Sequence, residues 1–133
     1  MSGINKVILV GHLGKDPELR HLKDNVAVTS FPMATSETIV KNGIKTEITE
    51  WHNIVMWRGL AEVAVKHLMK GKLIYLEGKI RTRTFDDKEG IKRYTTEIVA
   101  ESFTLLGRFS DFKTEVDGAI EQMGSSIISR DIS

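Results

Sequence analysis

Apolar residues in this chain recur mostly at every second position or in short runs, and a single segment shows helical spacing. Residues 4–13 (INKVILVGHL) predict a strand whose apolar run calls for burial on both sides. Gly11 and Gly14 bracket its end and suit a bend, and Asp16-Pro17 marks a turn. Residues 26–36 (VAVTSFPMATS) predict a second strand, in which Pro32 requires an edge or a bulge because it cannot donate to a ladder. Asn42-Gly43, between IVK and IKTEI, is a two-residue hairpin signal. Residues 44–57 form a third strand ending at Trp57. Leu60, Val63, Ala64, His67 and Leu68 then recur as one helical stripe, with His67 on its apolar side and Gly71 placed as a C-terminal glycine cap. Residues 72–85 predict a fourth strand, Asp86–Gly90 a polar hairpin tip, and residues 91–106 a fifth strand.

Three strands, a helix and two strands is the element order of an all-β OB-fold, a five-stranded Greek-key barrel with one short helix between strands 3 and 4. Glycines at 11, 14, 59, 71 and 78 fall where a small barrel must bend. The chain divides into a barrel domain over residues 1–108 and a short acidic segment over 109–133. In that segment Phe112, Val116, Ile120, Met123 and Ile127 are spaced as an amphipathic helix.

Strand parity then sorts the side chains. Trp51 and Trp57 share one face of the third strand, six residues and roughly 20 Å apart by strand rise. Ile54 and Met56 take the other face with His52 and serve as core, although Val55 falls on the tryptophan face. On the fourth strand Lys79, Arg81, Arg83 and Phe85 share a face, and Ile80, Thr82 and Thr84 take the opposite one. Aromatic platforms beside a row of cations suit a single nucleic-acid strand, whose bases stack and whose phosphates need positive charge. The bland alternative is a pair of core tryptophans and a solvated charged face.

Charge sharpens this picture. The net charge is only +1. Residues 1–108 carry 17 Lys/Arg against 13 Asp/Glu, and residues 109–133 carry two against five, so a basic body precedes an acidic end. The chain has no cysteine, which excludes disulfides and thiolate-bound metals. His12, His21, His52 and His67 fit no ligand spacing, so no metal and no cofactor is expected. An OB-fold nuclease would need clustered carboxylates, and the candidates Asp86, Asp87 and Glu89 sit on a solvated hairpin tip, a poor place to fix a metal. The chain is therefore expected not to be an enzyme. Without a signal or membrane-spanning run it is expected in the cytoplasm, associated with the nucleoid.

The stretches NKVILVGHLGKDPELR (5–20), ATSE (34–37), TEWHNIVMW (49–57), LAEVAVKHLMKG (60–71), YLEGKIRTRTF (75–85) and RYTTEIV (93–99) resemble the bacterial single-stranded DNA-binding protein family over most of residues 4–108. The resemblance implies sequence-independent binding of single-stranded DNA by a homotetramer of OB barrels, in replication, recombination and repair. It implies base stacking at Trp51, Trp57 and Phe85, and backbone contacts near Arg20, Lys72, Arg81 and Arg83, beside Lys79 from the same row. It implies subunit contacts at His52 and Tyr75. Several positions depart from the family pattern. Ile39 stands where the best-known members carry a further aromatic, and Asn53 replaces a basic residue that Arg58 restores nearby. Trp57 replaces a smaller aromatic. The end SSIISRDIS lacks the family's Gly/Pro/Gln-rich linker and acidic Pro-Phe tip, which leaves recruitment of replication and repair proteins without its usual element. The alternative reading is an interaction module of the same fold, of the primosome accessory type.

Overall fold

A computed structural model describes residues 2–107 of the chain, and the acidic segment 109–133 with its apolar stripe lies outside them. Its elements are β1 (Val7–Leu13), β2 (Arg20–His21), β3 (Ala27–Lys41), β4 (Ile44–Trp57), α1 (Arg58–His67), β5 (Leu73–Asp86) and β6 (Lys92–Gly107). The long strands are ordered β1-β5-β6-β4-β3, and β3 returns to β1 through His12↔Ala34 and Leu13↔Met33. The sheet therefore closes into the five-stranded barrel that the element order predicts, with α1 between the third and fourth long strands. All neighbours pair antiparallel except β4 and β6, which run parallel at Ile54↔Ile98 and Val55↔Val99. β2 adds two residues to the edge of β3, too few for any periodicity to announce.

The interior follows from alternation. Leu13, Phe31, Met33, Ile54, Met56, Ile74 and Leu76 are buried and belong to one cluster. Gly11 lets β1 approach β3 where the barrel closes, and Gly78 lets β5 approach β6 at a shift in their register, because a Cβ would strike the carbonyl oxygen of Ala34 or of Val99 respectively. Pro32 lies inside β3, and its carbonyl accepts from Gly14 N–H at 2.8 Å. A strand residue's N and O point to the same side, so the missing N–H of Pro32 faces the loop after β1 and leaves the β3–β4 ladder intact.

Three expectations need correction. β1 is not buried on both sides in the single chain: Val7 and Leu9 pack on the core, while Ile8 is half exposed on the outer face. The helix buries Ala61 and Ala64, with Leu68 buried just past its end, and exposes Val63 and His67. Its contacts are with β3 and β4, where alanines allow a close approach that bulkier residues would prevent. Gly71 does not cap α1, which ends at His67. It sits in the turn Met69–Lys72, closed by Lys72 N–H to Met69 O, at φ +87°.

Two ribbons run past the barrel. Residues 36–51 of the β3–β4 hairpin are exposed throughout, as are nearly all of residues 80–96 of β5–β6. The first turns at Asn42 (φ 53°) and Gly43 (φ 76°), the left-handed pair that a two-residue hairpin loop demands. The second turns at Asp87, whose carboxylate accepts from the N–H of Glu89 and of Ile91, both at 2.9 Å, and from Arg93 Nε at 2.9 Å. The Ile91 amide, with Arg93 beside it, holds this carboxyl below the ordinary carboxylate range.

Because the folded value is lower than the unfolded one, the tip's stabilisation is complete above about pH 4 and is lost as pH falls through the folded value. The amide proton shifts of Glu89 and Ile91 should therefore titrate together in acid, and Asp87→Ala should abolish that titration. Independent titration of the two amides would separate them from Asp87.

Candidate nucleic-acid interface

Cross-strand register assembles one outer face from residues distant in sequence. Trp57 pairs with Val28, which pairs with Arg20. Two residues before Trp57, Val55 pairs with Val99, and Val99 pairs with Lys79. Direct partners project to the same side. Arg20, Trp57, Lys79, Arg81, Arg83 and Phe85 therefore share a face, as parity requires for the last four. Val28 and Val55 are buried on this face and give it an apolar floor. The exposure of Trp51 (62%), Trp57 (41%) and Phe85 (45%) removes the bland reading of these rings as core.

An open groove of about 690 Å³ gathers Trp57, Arg58, Lys79 and Arg81 with Lys23, over Leu22, Val26 and Val99. Among the described residues its lining holds four cations and no carboxylate. Lys79 and Arg81 make no ion pair among the described residues, whereas Arg83 Nε contacts Glu97 Oε1 at 3.0 Å. Arg58 adopts φ 58°, a left-handed conformation that costs a non-glycine residue roughly 1–2 kcal/mol. Such cost is found where a side chain must be placed for a task.

Trp51 stands at the other end of β4. Its ring lies over Gly14 and beside Pro32: a Cβ on Gly14 would sit 2.6 Å from Trp51 Cζ3 and 3.3 Å from Pro32 Cγ. Lys72 belongs to this end and not to the groove, since its carbonyl accepts from Leu13 N–H, one residue before Gly14.

His52 projects to the opposite side of β4 from Trp51, and Tyr75 stands on β5 opposite Val10 of β1. His52 Nε2 and Thr35 Oγ1 share a hydrogen bond of 2.9 Å. The Tyr75 hydroxyl donates to Glu77 Oε1 at 2.8 Å, and Lys6 Nζ lies 3.3 Å from Glu77 Oε2. Together, the hydroxyl first and the ammonium next, they hold the Glu77 carboxyl below its usual range. Ile39, which pairs with Thr46, projects to the side of β3 away from Ala34 and Trp51, so it supplies no platform on the tryptophan face.

A model of the Single-strand binding protein family matches residues 4–106. The chain belongs to this family. Among relatives, the single-stranded DNA-binding protein of Neisseria meningitidis serogroup A is 51% identical over 105 residues, 78% of this chain and 60% of that protein. The single-stranded DNA-binding protein 1 of Xylella fastidiosa is 44% identical over 113 residues, covering 84% of this chain and 83% of the other. The match thus spans three fifths of the length of the Neisseria protein. Among solved structures, the Plasmodium falciparum SSB complex with ssDNA superposes with a TM-score of 0.74 at 26% identity, covering 80% of this chain and 97% of that one. No group of three or more His, Cys, Asp or Glu able to hold a metal occurs among the described residues of this family member. None of its described helices is long and apolar enough to cross a membrane.

Sequence reasoning missed Lys23, the Gly14–Pro32 bed under Trp51 and the Arg83–Glu97 pair. Lys23 did carry a signal. Asp24 and Asn25 follow it, two residues that tolerate the left-handed φ they adopt (66° and 60°), in a tight turn closed by Asn25 N–H to Leu22 O.

In a Trp57→Phe background Trp51 is the only indole. There, Gly14→Ala should lift the ring from its bed, red-shift its emission and raise its quenching by acrylamide without lowering the melting temperature. Unchanged emission would show that Gly14 does not set the ring's position.

Proposed function

We propose that this chain binds single-stranded DNA without sequence preference, protecting and organising it in replication, recombination and repair. The observation that carries this reading is the single outer face that joins exposed Trp57 and Phe85 to Lys79 and Arg81, which make no ion pair among the described residues, with exposed Trp51 at its far end. Trp51, Trp57 and Phe85 stack bases, and every base has a π-face to offer. Arg20, Arg58, Lys72, Lys79, Arg81 and Arg83 replace counterions along the phosphates, with Lys23 added from the groove. The action is passive, with no bond made or broken. The relatives' names and the ssDNA complex of the Plasmodium protein support the same ligand.

The working form is a homotetramer acting in the cytoplasm. Tyr75 and His52 make subunit contacts, and half-exposed Ile8 supports this, since it shares the outer face of β1–β5 with Tyr75 and Val10 and needs cover.

Titration with oligo-dT should quench tryptophan emission at a tight stoichiometry, with affinity falling as salt rises. Absence of quenching in folded protein would refute the stacking mechanism. Trp51→Ala or Trp57→Ala should each weaken binding by roughly 1–3 kcal/mol. Arg81→Ala should flatten the plot of log affinity against log salt by about 0.7. An identical slope would place Arg81 off the strand's path.

A further inference from the structure

The row Lys79, Arg81, Arg83 is interrupted by one carboxylate. Glu97 is the direct cross-strand partner of Arg81 and accepts from Arg83 Nε at 3.0 Å. The two ends of that ion pair differ: the Glu97 side chain is 13% exposed and the Arg83 side chain 60%. The carboxylate is therefore seated in the sheet surface, and the guanidinium reaches over it towards solvent. Among the described residues Lys79 and Arg81 have no such partner, so Arg83 is the cation of this row whose charge is already answered.

We propose that Glu97 competes with DNA phosphate for Arg83, so that strand binding at this position exchanges a carboxylate for a phosphate. This rests on the reading of the face as a DNA surface. A phosphate that approaches Arg83 gains one attraction, loses part of it to repulsion from the fixed carboxylate, and must displace or share that carboxylate. Arg83 then contributes less to affinity than its position allows. In return, whenever the phosphate leaves, the guanidinium has a partner waiting, which speeds release. A protein that binds any sequence and must also release the strand benefits from such a weakened contact.

The test compares the full chain with Glu97→Gln, Arg83→Ala and the double variant on oligo-dT short enough for one barrel, roughly 10 nucleotides. Glu97→Gln keeps the shape and one acceptor oxygen, replaces the other with an amide donor, and removes the charge. It should bind roughly two- to fivefold tighter, the affinity equivalent of an exposed ion pair. Its salt slope should steepen, by at most about 0.7, to the extent that Glu97 keeps Arg83 from a phosphate in the wild type. Its dissociation should slow. In the Arg83→Ala background the same substitution should change affinity little. Equal or weaker binding by Glu97→Gln would overturn the proposal. So would a gain that persists undiminished without Arg83, because Glu97 would then act through the general field. Should the amide disturb the sheet, as a melting curve would show, Glu97→Thr gives the same readout with a residue type already present at Thr95 and Thr96. Wild-type protein that fails to bind oligo-dT would instead remove the DNA reading itself.

Discussion

The closed barrel has a small interior, and Ile54 and Met56 of β4 occupy their share of it completely. Alternation along a strand then leaves Trp51 and Trp57 no place but outside. A slip of one residue would send Ile54 and Met56 to water, at roughly 1.5–3 kcal/mol each, and press two indoles into space that does not exist. The surface proposed to stack bases is thus held by the core behind it. The same argument runs through β5, where buried Ile74, Leu76 and Gly78 commit Lys79 and Arg81 to the outer face. Gly78 is essential to it, since the backbone of Val99 comes too close for any side chain there, and Val99 is the register partner that brings Lys79 beside Val55 and Trp57.

Charge on this face is arranged against the protein's own stability. The groove collects Lys23, Arg58, Lys79 and Arg81 without a carboxylate among the described residues of its lining, so these cations repel one another when it is empty. Arg58 adds the cost of its left-handed backbone. Neither cost is offset by an interaction visible in the described chain, and an anionic strand would relieve the repulsion. The surface proposed for subunit contact is wired in the opposite way: Lys6, Tyr75 and Glu77 satisfy one another.

Much of this was legible in the sequence because period-2 alternation is a strong signal wherever one face is core. The long strands, the Asn42-Gly43 and Asp86–Gly90 turns, and the faces of Trp51, Trp57, Lys79, Arg81, Arg83 and Phe85 follow from it directly. The helix face did not, since Ala61 and Ala64 carry little hydrophobic weight yet pack closest, while the larger Val63 lies outside. Outer-face apolar residues of β1 read as core because one chain's sequence cannot distinguish packing within a barrel from packing between barrels. Contacts across strands, such as Gly14 with Trp51 or Glu97 with Arg83, depend on register between segments far apart in sequence, and alternation within one strand contains no record of that register.

The two ribbons pose a different physical problem. A two-stranded ribbon buries neither face and is marginal on its own. Here each is pinned at both ends. The β3–β4 ribbon leaves the barrel through Thr35–His52 and Ser36–Thr49 hydrogen bonds and closes at a turn whose backbone chemistry admits few alternatives. The β5–β6 ribbon leaves through Thr82–Thr96 and Arg83–Glu97 and closes on Asp87. Phe85 sits near the tip of the second ribbon, so its ring is presented by an element whose order comes from hydrogen bonds and charge, not from burial. Trp51 and Trp57 are presented by the barrel wall, or close to it. Stacking on a rigid wall gives affinity at little entropic cost, and stacking on a pinned but thin ribbon lets the ring adjust to a strand of varying path. On the proposed reading, sequence tolerance would have two sources: the chemistry of the π-face, indifferent to which base lies on it, and the graded stiffness of the elements that hold the rings.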